Sequence, residues 1–390
     1  MEDPKERFGF GQNWNDFIIK QFSPERVTAA KSKLLGALRL ADLRGKTFLD
    51  IGCGSGLHSL AAIQAGAERV VSFDYDPNSV RTAQMLKEMF GNPGNWQISQ
   101  GSVLDEQNMK NLGTFDIVYS WGVLHHTGFM WKAIENARIP LGENGVFLIA
   151  LYSHTAYQDG ELSGRPSPEQ WVEIKKKYNS SHAVVKRFME WEYVWHDSLK
   201  PPISKPWLVF ERYAAFKKRE KEYVKERGME IWTDIRDWLG GYPMEFVNEF
   251  ELQAFAKERL GLKLVEMLAG EGNTEFILCP FTATNWWAAI DAGRQCRQIK
   301  SPFTHVSDNC WMIELPDLAD MADSNDSHRK STLRMYEGTD MMSFAHSTHR
   351  AIHRYGAGRY SHWNGNLYFS TSDNSDPNTN GRIYSIRFNL

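Results

Sequence analysis

The stretch that decides the fold is Phe48-Leu49-Asp50-Ile51-Gly52-Cys53-Gly54-Ser55-Gly56. A short apolar run enters three glycines, and Leu57–Ala65 follows with the spacing of an amphipathic helix. Glycines at 52, 54 and 56 let the chain turn tightly out of a buried strand and bring its backbone close to a ligand. The free N–H groups at the start of the next helix point to the same place. The stretch therefore predicts a strand, a ligand-binding turn and a helix.

Strands and helices alternate on both sides of this turn. A helix is predicted over residues 26–43 before it, and Pro77–Phe90 is predicted to be helical after it. Further strands are predicted at Arg69–Phe73, Trp96–Gln100, Phe115–Ser120 and Gly145–Leu151. This alternation predicts an α/β fold with a doubly wound, mostly parallel sheet. Ligands of such sheets lie beyond the carboxyl ends of the strands.

The pattern changes after residue 151. Residues 152–248 are rich in Trp, Tyr, Lys and Glu and are predicted to form a helical cap above the carboxyl edge of the sheet. A helix and two antiparallel strands, Leu262–Leu268 and Glu275–Leu278, then complete a seven-stranded sheet around a turn at Gly270–Asn273. The predicted domains are residues 1–151 and 249–284 for the α/β domain, 152–248 for the helical insertion and 285–390 for a small β-rich domain.

Two features separate this turn from a nicotinamide-binding turn. Asp50 lies inside the strand end, which suits a ligand that carries an ammonium group and no pyrophosphate, and the glycines follow G-x-G-x-G spacing. Asp74 ends the second strand, where a carboxylate can bind both hydroxyls of a ribose. A nicotinamide-dependent oxidoreductase is therefore the disfavoured enzyme class.

The pattern Asp50-x-Gly-x-Gly-x-Gly with Asp74 resembles that of the class I S-adenosylmethionine-dependent methyltransferases, and the resemblance extends over residues 48–151. It implies a Rossmann-like methyltransferase fold with S-adenosyl-L-methionine as cofactor. It also implies that the glycine turn holds the methionine end, that the acid after the second strand holds the ribose, and that residues after the third strand flank the adenine. The cofactor-binding residues so implied are Asp50, Gly52, Cys53, Gly54, Gly56, Asp74, Tyr75, Ser102, Val103 and Ser120.

Two histidines follow the fourth strand in the run Trp121-Gly122-Val123-Leu124-His125-His126. This run is similar to the fourth-strand motif of small-molecule methyltransferases of the ubiquinone-biosynthesis type, where a histidine commonly follows the strand. Amino-methylating nucleic acid enzymes carry Asn/Asp-Pro-Pro-aromatic at this place, so DNA base methylation is disfavoured. An alcohol acceptor needs a base, and a histidine with a near-neutral pKa suits that role. His125 or His126 is predicted to be the base; a histidine that only holds the loop is the equal alternative.

Acceptor contacts are expected from the helical insertion and from the end of the fifth strand. Residues 227–243 are dense in charge and aromatic rings, and Asp234 and Asp237 are predicted to contact the acceptor. Helix packing with surface salt bridges is the alternative for this stretch. Tyr152 and His154 are expected either to face the same cleft or to belong to a polar loop on its rim. The segment Phe8–Trp14 is expected either to close over the cofactor or to pack outside the fold.

The composition limits the partners and the compartment. The 390 residues carry a net charge of −3 with no basic block, which disfavours nucleic acid as a partner. No signal peptide or membrane-spanning stretch is visible, and the four cysteines show no C-x-x-C spacing, so a cytoplasmic protein with free thiols and no membrane association is expected. The tail histidines 346, 349, 353 and 362 fit no zinc pattern, so no metal site is predicted.

The sequence therefore predicts a methyltransferase that methylates an oxygen of a polar small molecule or of a sugar or glycan intermediate. Aromatic and planar polar side chains in Gly358–Trp363 and Asp373–Asp376 are of the kind that binds sugars. A methyltransferase acting on a peptide or protein and a non-catalytic glycan-binding or scaffold protein are the alternatives. The acceptor atom (oxygen, nitrogen or carbon) and the oligomeric state stay open.

Overall fold

A computed structural model of the chain describes residues 24–390 apart from 162–164, 201, 203, 228–230, 270–272, 328–329, 343–344 and 390. Two stretches named in the sequence-based expectations, Phe8–Trp14 and the turn residues Gly270–Gly272, lie outside the described residues.

Seven strands form one sheet in the order β3-β2-β1-β4-β5-β7-β6. Strand β1 pairs in parallel with β2 and β4, and β2 pairs in parallel with β3, whereas β7 runs antiparallel to β5 and β6. The strands are β1 Thr47–Ile51, β2 Arg69–Asp74, β3 Trp96–Gln100, β4 Phe115–Trp121, β5 Leu141–Tyr152, β6 Leu262–Ala269 and β7 Asn273–Pro280. The predicted fold class, a Rossmann-like methyltransferase sheet with an antiparallel last pair, is confirmed.

Helices connect the first strands and make up the insertion, because their apolar residues recur at helical spacing and are buried on one face. The helices of the first part are α1 Pro24–Leu38, α2 Leu57–Gln64, α3 Pro77–Met89, α4 Glu106–Asn111 and α5 Met130–Arg138. Those of the insertion are α6 His154–Glu161, α7 Pro168–Ser180, α8 Ala183–Val194, α9 Leu208–Arg227 and α10 Ile231–Gly240. Those of the remainder are α11 Glu249–Phe255, α12 Trp286–Ala292 and α13 His349–Tyr355. The helical character predicted for the insertion is therefore observed.

The described chain divides into two compact units. The first combines the residues up to Gly142 with Glu169–Glu245, and the second combines Glu143–Pro168 with Phe246–Leu390. We call residues 169–245 the cap. The domain limits expected from the sequence stay a proposal.

The C-terminal part of the second unit is rich in strands, as expected. Two antiparallel four-stranded sheets have the orders β13-β14-β10-β9 and β12-β11-β15-β8. Their strands are β8 Gln295–Ile299, β9 Thr304–Ser307, β10 Cys310–Glu314, β11 Arg334–Glu337, β12 Asp340–Met341, β13 Tyr360–Trp363, β14 Asn366–Phe369 and β15 Tyr384–Phe388. Phe303, Phe369 and Tyr384 pack edge-to-face or tilted at the centre of their core.

Among the described residues, every helix is too short or too polar to cross a bilayer.

Candidate functional site

The glycine turn after β1 depends on backbone conformations that other residues rarely adopt. Gly52, Gly54 and Gly56 have φ angles of 72°, 53° and 78°. The amide of Gly52 donates to the Phe73 carbonyl over 2.9 Å, which ties the turn to the end of β2. A Cβ at Gly52 would lie 2.4 Å from Cγ1 of Val123, so the turn and the segment after β4 approach too closely for a larger residue.

Asp74 is fixed beside this turn at the carboxyl end of β2. Its Oδ2 accepts a 2.9 Å hydrogen bond from the Gly54 amide, and its Oδ1 accepts one of 2.9 Å from the Asp76 amide. The carboxylate is half-buried, and the neighbouring Tyr75 is 52% exposed. The structure therefore places Asp74 and Tyr75 next to the glycine turn, where the resemblance predicts that the ribose is bound. Their ligand contacts stay a prediction.

Asp50 lies in the interior, and its side chain is part of a buried polar chain. Ser59 Oγ donates to Asp50 Oδ2 over 2.5 Å, Ser72 Oγ donates to Ser59 Oγ over 2.8 Å, and Trp96 Nε1 donates to Ser72 Oγ over 2.8 Å. Asp50 is 2% exposed, and burial raises the pKa of its carboxyl to about 7; the charge of Asp74 raises this pKa further, and the Ser59 hydrogen bond lowers it. The Asp50 side chain is therefore almost inaccessible from the surface. Its predicted contact with a ligand ammonium group stays a prediction.

The neighbouring Cys53 is also buried, and burial raises the pKa of its thiol well above the ordinary value, with the charges of Asp50 and Asp74 adding to the shift. A neutral thiol is a weak nucleophile. Cys53 is therefore suited to line the turn and unsuited to covalent chemistry.

The residues expected to flank the adenine follow β3. The Ser102 hydroxyl accepts from the Leu104 amide over 3.2 Å. Val103 is buried, and its carbonyl accepts from Asn136 Nδ2 over 2.9 Å. Ser120 is fully buried on β4 and donates to the Ile51 carbonyl over 3.0 Å, so its hydroxyl joins β4 to β1. Its predicted contact with the cofactor stays a prediction.

The histidine pair lies on a short 3₁₀ turn, Leu124–His126, directly after β4. His126 is half-buried, and its Nδ1 is 2.7 Å from the Pro243 carbonyl in the cap. A carbonyl only accepts hydrogen bonds, so Nδ1 carries the proton, and neutral His126 has its lone pair on Nε2. This tautomer is the one that a general base at this position requires.

His125 has a different environment. It is fully buried, and its ring centroid is 4.3 Å from that of His126. Burial lowers the pKa of His125 well below its ordinary value, and the charges of His126 and Lys175 lower it further. His125 is therefore a neutral and weakly basic core residue. The two histidines, equal on sequence grounds, are physically distinct, and His126 is the better candidate for the base.

Lys175, which sequence analysis did not single out, is buried in the cap. It is 1% exposed, its Nζ donates to the Trp238 carbonyl, and Nζ lies 4.1 Å from the centroid of the Trp238 ring. Burial lowers the pKa of Lys175 to about 7, and the charge of Asp237 opposes this shift. Asp237 therefore acts electrostatically on Lys175. No sequence signal marks this lysine among Lys175-Lys176-Lys177.

Asp234 instead lines a partly open cavity of about 220 Å³ in the cap. Its carboxylate accepts a hydrogen bond from the Tyr223 hydroxyl. Trp238 also lines this cavity, so one residue separates the cavity from Lys175. The structure thus brings Asp234, but not Asp237, to a space that could hold a small molecule.

Tyr152 and His154 lie at the end of β5 in the second unit. The Tyr152 ring centroid is 6.1 Å from that of Phe246, and the His154 amide donates to the Val247 carbonyl over 2.9 Å. Their expected place in an acceptor cleft stays a prediction.

Part of the chain is similar to known proteins. Residues 42–221 match the family described as a methyltransferase domain. The tRNA U34 carboxymethyltransferase of Haemophilus influenzae is 34% identical over 140 residues, which are 36% of this chain and 41% of that protein. The protein of the same name from Cellvibrio japonicus is 36% identical over 87 residues, 22% of this chain and 26% of that protein. The chain thus spans less than half the length of these curated relatives.

A solved magnesium protoporphyrin IX methyltransferase from Synechocystis, with bound SAH, has 12% sequence identity and a TM-score of 0.36. The similarity covers 66% of this chain and 82% of that chain.

Proposed function

The chain carries a class I S-adenosylmethionine-dependent methyltransferase domain, and we propose that it methylates an oxygen of a polar small molecule that enters through the cap. The observation that carries the proposal is the 2.7 Å contact of His126 Nδ1 with the Pro243 carbonyl, because it presents a basic Nε2 directly after β4. A sugar or glycan intermediate belongs to this class of acceptor.

The residues present fit the cofactor. Asp74 is an ionisable acceptor held by two backbone amides, as a ribose diol requires, and the three left-handed glycines keep side chains away from the turn. We assign the methionine end to Gly52, Gly54 and Gly56, and the ribose to Asp74 with Tyr75 beside it. When bound, S-adenosylmethionine supplies a methyl group that is already activated on a sulfonium.

His126 performs the proton transfer in this proposal. Its Nε2 takes the proton of the acceptor hydroxyl as the new oxygen–carbon bond forms. The Pro243 carbonyl keeps its hydrogen bond to Nδ1–H and stabilises the positive charge that develops on the ring. His125 stays neutral, so the pair never places two positive charges 4.3 Å apart.

The cap supplies the acceptor site. Asp234 lines the cavity, and the Pro243 carbonyl that orients His126 lies near the end of the same segment. The cap therefore carries both an acceptor-sized space and the group that sets the tautomer of the base. A helical insertion of this size could also hold a peptide, and methylation of a peptide or protein is kept as an alternative.

A second candidate is methyl or carboxymethyl transfer to tRNA, which the names of the relatives suggest. One observation favours it: six aromatic side chains between residues 188 and 213 are exposed, namely Phe188, Trp191, Trp195, Trp207, Phe210 and Tyr213. Arg212 lies among them in the sequence, and Lys186, Arg187 and Lys217 lie within four residues of them. Aromatic platforms with basic side chains bind single-stranded nucleic acid by stacking and charge, which the overall net charge of −3 does not exclude locally.

One labelling experiment separates these acceptors. The full chain and its His126→Asn variant are incubated with methyl-labelled S-adenosylmethionine and an extract of the producing cells, which is then divided into small molecules, tRNA and protein. The proposal expects label in the small-molecule fraction, strongly reduced by His126→Asn. Label confined to tRNA or to protein would replace the proposed acceptor with that class, and no label with any fraction would favour a non-catalytic scaffold.

A further inference from the structure

Aromatic side chains form much of the wall of the cavity in the cap. Four aromatic side chains, Tyr193, Phe216, Tyr223 and Trp238, contribute to its wall. Aromatic faces carry negative partial charge and attract cations within about 6 Å of the ring centroid. An aromatic wall of this kind can bind either an apolar group or a cation, and the neighbouring charges decide between them.

Those charges favour a cation. Asp197 and Asp234 line the cavity with carboxylates, whereas Arg219 is its one basic lining residue. The Asp234 carboxylate is held by the Tyr223 hydroxyl, and the Asp197 carboxylate accepts from Ser198 Oγ over 3.0 Å. With the carboxylates ionised, the lining has a net charge of −1, which an anionic ligand would oppose and a cationic ligand would neutralise.

The ring faces of the cap already attract cations. The Arg219 guanidinium carbon is 5.5 Å from the centroid of Tyr223, and Lys175 Nζ is 4.1 Å from that of Trp238. Trp171 packs edge-to-face against Trp238, with ring centroids 5.0 Å apart and an interplanar angle of 77°. The rings are therefore positioned before any ligand arrives, which lowers the entropic cost of binding.

We propose that this cavity recognises an organic ammonium group, with the aromatic rings around the cation and Asp197 and Asp234 as its counter-charges. The inference rests on the proposed function in one respect: if the cavity is the acceptor site, the methylated molecule carries an amine as well as the group that receives the methyl. A zwitterionic acceptor would in addition place its carboxylate toward Arg219.

The test is calorimetric titration of the full chain with choline and with 3,3-dimethylbutan-1-ol, in which a carbon replaces the charged nitrogen. Glycine betaine, with the same ammonium group and a carboxylate, is the third probe. We expect choline to bind at least about tenfold more tightly than the neutral isostere, since the two differ chiefly in charge. Betaine binding more tightly than choline would place a carboxylate on Arg219 and support the zwitterionic form of the proposal.

Variants locate the binding. Asp197→Asn and Asp234→Asn should each weaken the binding of choline by about three- to tenfold and leave the binding of the isostere unchanged. Asp197 is exposed, so its substitution is tolerated even if Asp234→Asn disturbs Tyr223. Glu192→Gln, an exposed acid on α8 outside the cavity lining, is the matched control and should leave choline binding unchanged.

Equal affinity for choline and its isostere, no choline binding, or choline binding that ignores both aspartate variants would each overturn the proposal. The same samples are titrated with S-adenosylmethionine. If the chain binds S-adenosylmethionine but not choline, only the ammonium site is rejected. If it binds choline but not S-adenosylmethionine, the proposed function is rejected and the assignment of the cavity stands.

Discussion

The side chain of Val123, which follows β4, packs against the bare α-carbon of Gly52 in the turn after β1. A Cβ at Gly52 would come within 2.4 Å of Val123 Cγ1 and 2.6 Å of its Cγ2. This contact couples the glycine turn to the segment that carries the histidine pair. The two motifs that the sequence marks separately therefore lie next to each other.

Gly52→Ala tests this coupling. Its φ of 72° costs an L-residue about 1–2 kcal/mol, and the clash with Val123 adds about 1–3 kcal/mol. We expect a loss of about 2–5 kcal/mol in the free energy of unfolding, measured by urea denaturation. In a double-mutant cycle with Val123→Gly, the clash disappears and the φ strain remains, so the two substitutions should couple by about 1 kcal/mol or more. Simple additivity would show that the contact has no energetic weight.

Asp50 should make stability fall as pH rises. Its folded pKa of about 7 exceeds its ordinary value of 3.8, so between these pH values the folded carboxyl keeps a proton that the unfolded one has lost. Asp50→Asn removes this dependence. The free energy of unfolding of the variant, relative to wild type, should rise by about 1–3 kcal/mol from pH 4 to pH 8.

Glu68→Gln, an exposed acid in the same unit, is the control for that series and should track wild type. A flat difference between Asp50→Asn and wild type would mean that the carboxyl titrates normally. If wild type instead becomes less stable than Asp50→Asn as the pH approaches neutrality, this cost supports the view that Asp50 is retained for function.

Lys175 should produce the opposite slope in the comparison with wild type, and in a higher pH window. Below pH 7 the folded and unfolded lysines are both protonated, and wild type bears the full cost of a buried charge. From about 7 to 10.5 the folded lysine is neutral while the unfolded one is charged, so wild-type stability gains with pH. The stability of Lys175→Met relative to wild type should therefore drop by about 2 kcal/mol between pH 7 and 9.5.

Lys176→Met, an exposed neighbour that pairs with Glu173, controls for the loss of a lysine and should show no such slope. If the free energies of unfolding of Lys175→Met and wild type change in parallel with pH across that range, the lysine lies in a solvated environment.

The two histidines should separate in the rate of methyl transfer. His126→Asn removes the basic Nε2, and we expect the rate of S-adenosylhomocysteine release with the labelled acceptor to fall about 10²- to 10⁴-fold at unchanged cofactor affinity. His125→Asn changes a buried, weakly basic ring, so its rate per folded molecule should stay within about tenfold of wild type. The reverse order of effects would assign the proton transfer to His125.

The local sequence was sufficient to predict the glycine turn and the fold class. The glycines at 52, 54 and 56 and the acid at the end of β2 act within one strand–turn–helix unit and its neighbour, and strand alternation determines the sheet. The sequence alone did not predict the difference between the two histidines, because this difference depends on Pro243, which is 117 residues from His126. Lys175 was missed for the same reason, since its partner Trp238 is 63 residues away.

Burial also altered the interpretation of Asp50. From the sequence it is an acid at a strand end, open to a ligand ammonium. In the structure its carboxylate is enclosed by Ser59, which the neighbouring helix brings over it, and by the Ser72–Trp96 chain behind. Such enclosure follows from how the helix packs on the sheet, which spacing alone does not specify.

The central claim is that Asp74 and the glycine turn bind S-adenosylmethionine, and calorimetric titration of the full chain tests it most directly. Asp74→Ala removes the carboxylate, and Asp76→Ala, which removes only the cap of α3, is the matched control. We predict micromolar binding by wild type, a loss of at least about tenfold in Asp74→Ala, since hydrogen bonds to charged groups contribute about 1.5–3 kcal/mol each, and near-wild-type binding in Asp76→Ala. No binding by a folded wild-type chain, or equal binding by Asp74→Ala, would contradict the account.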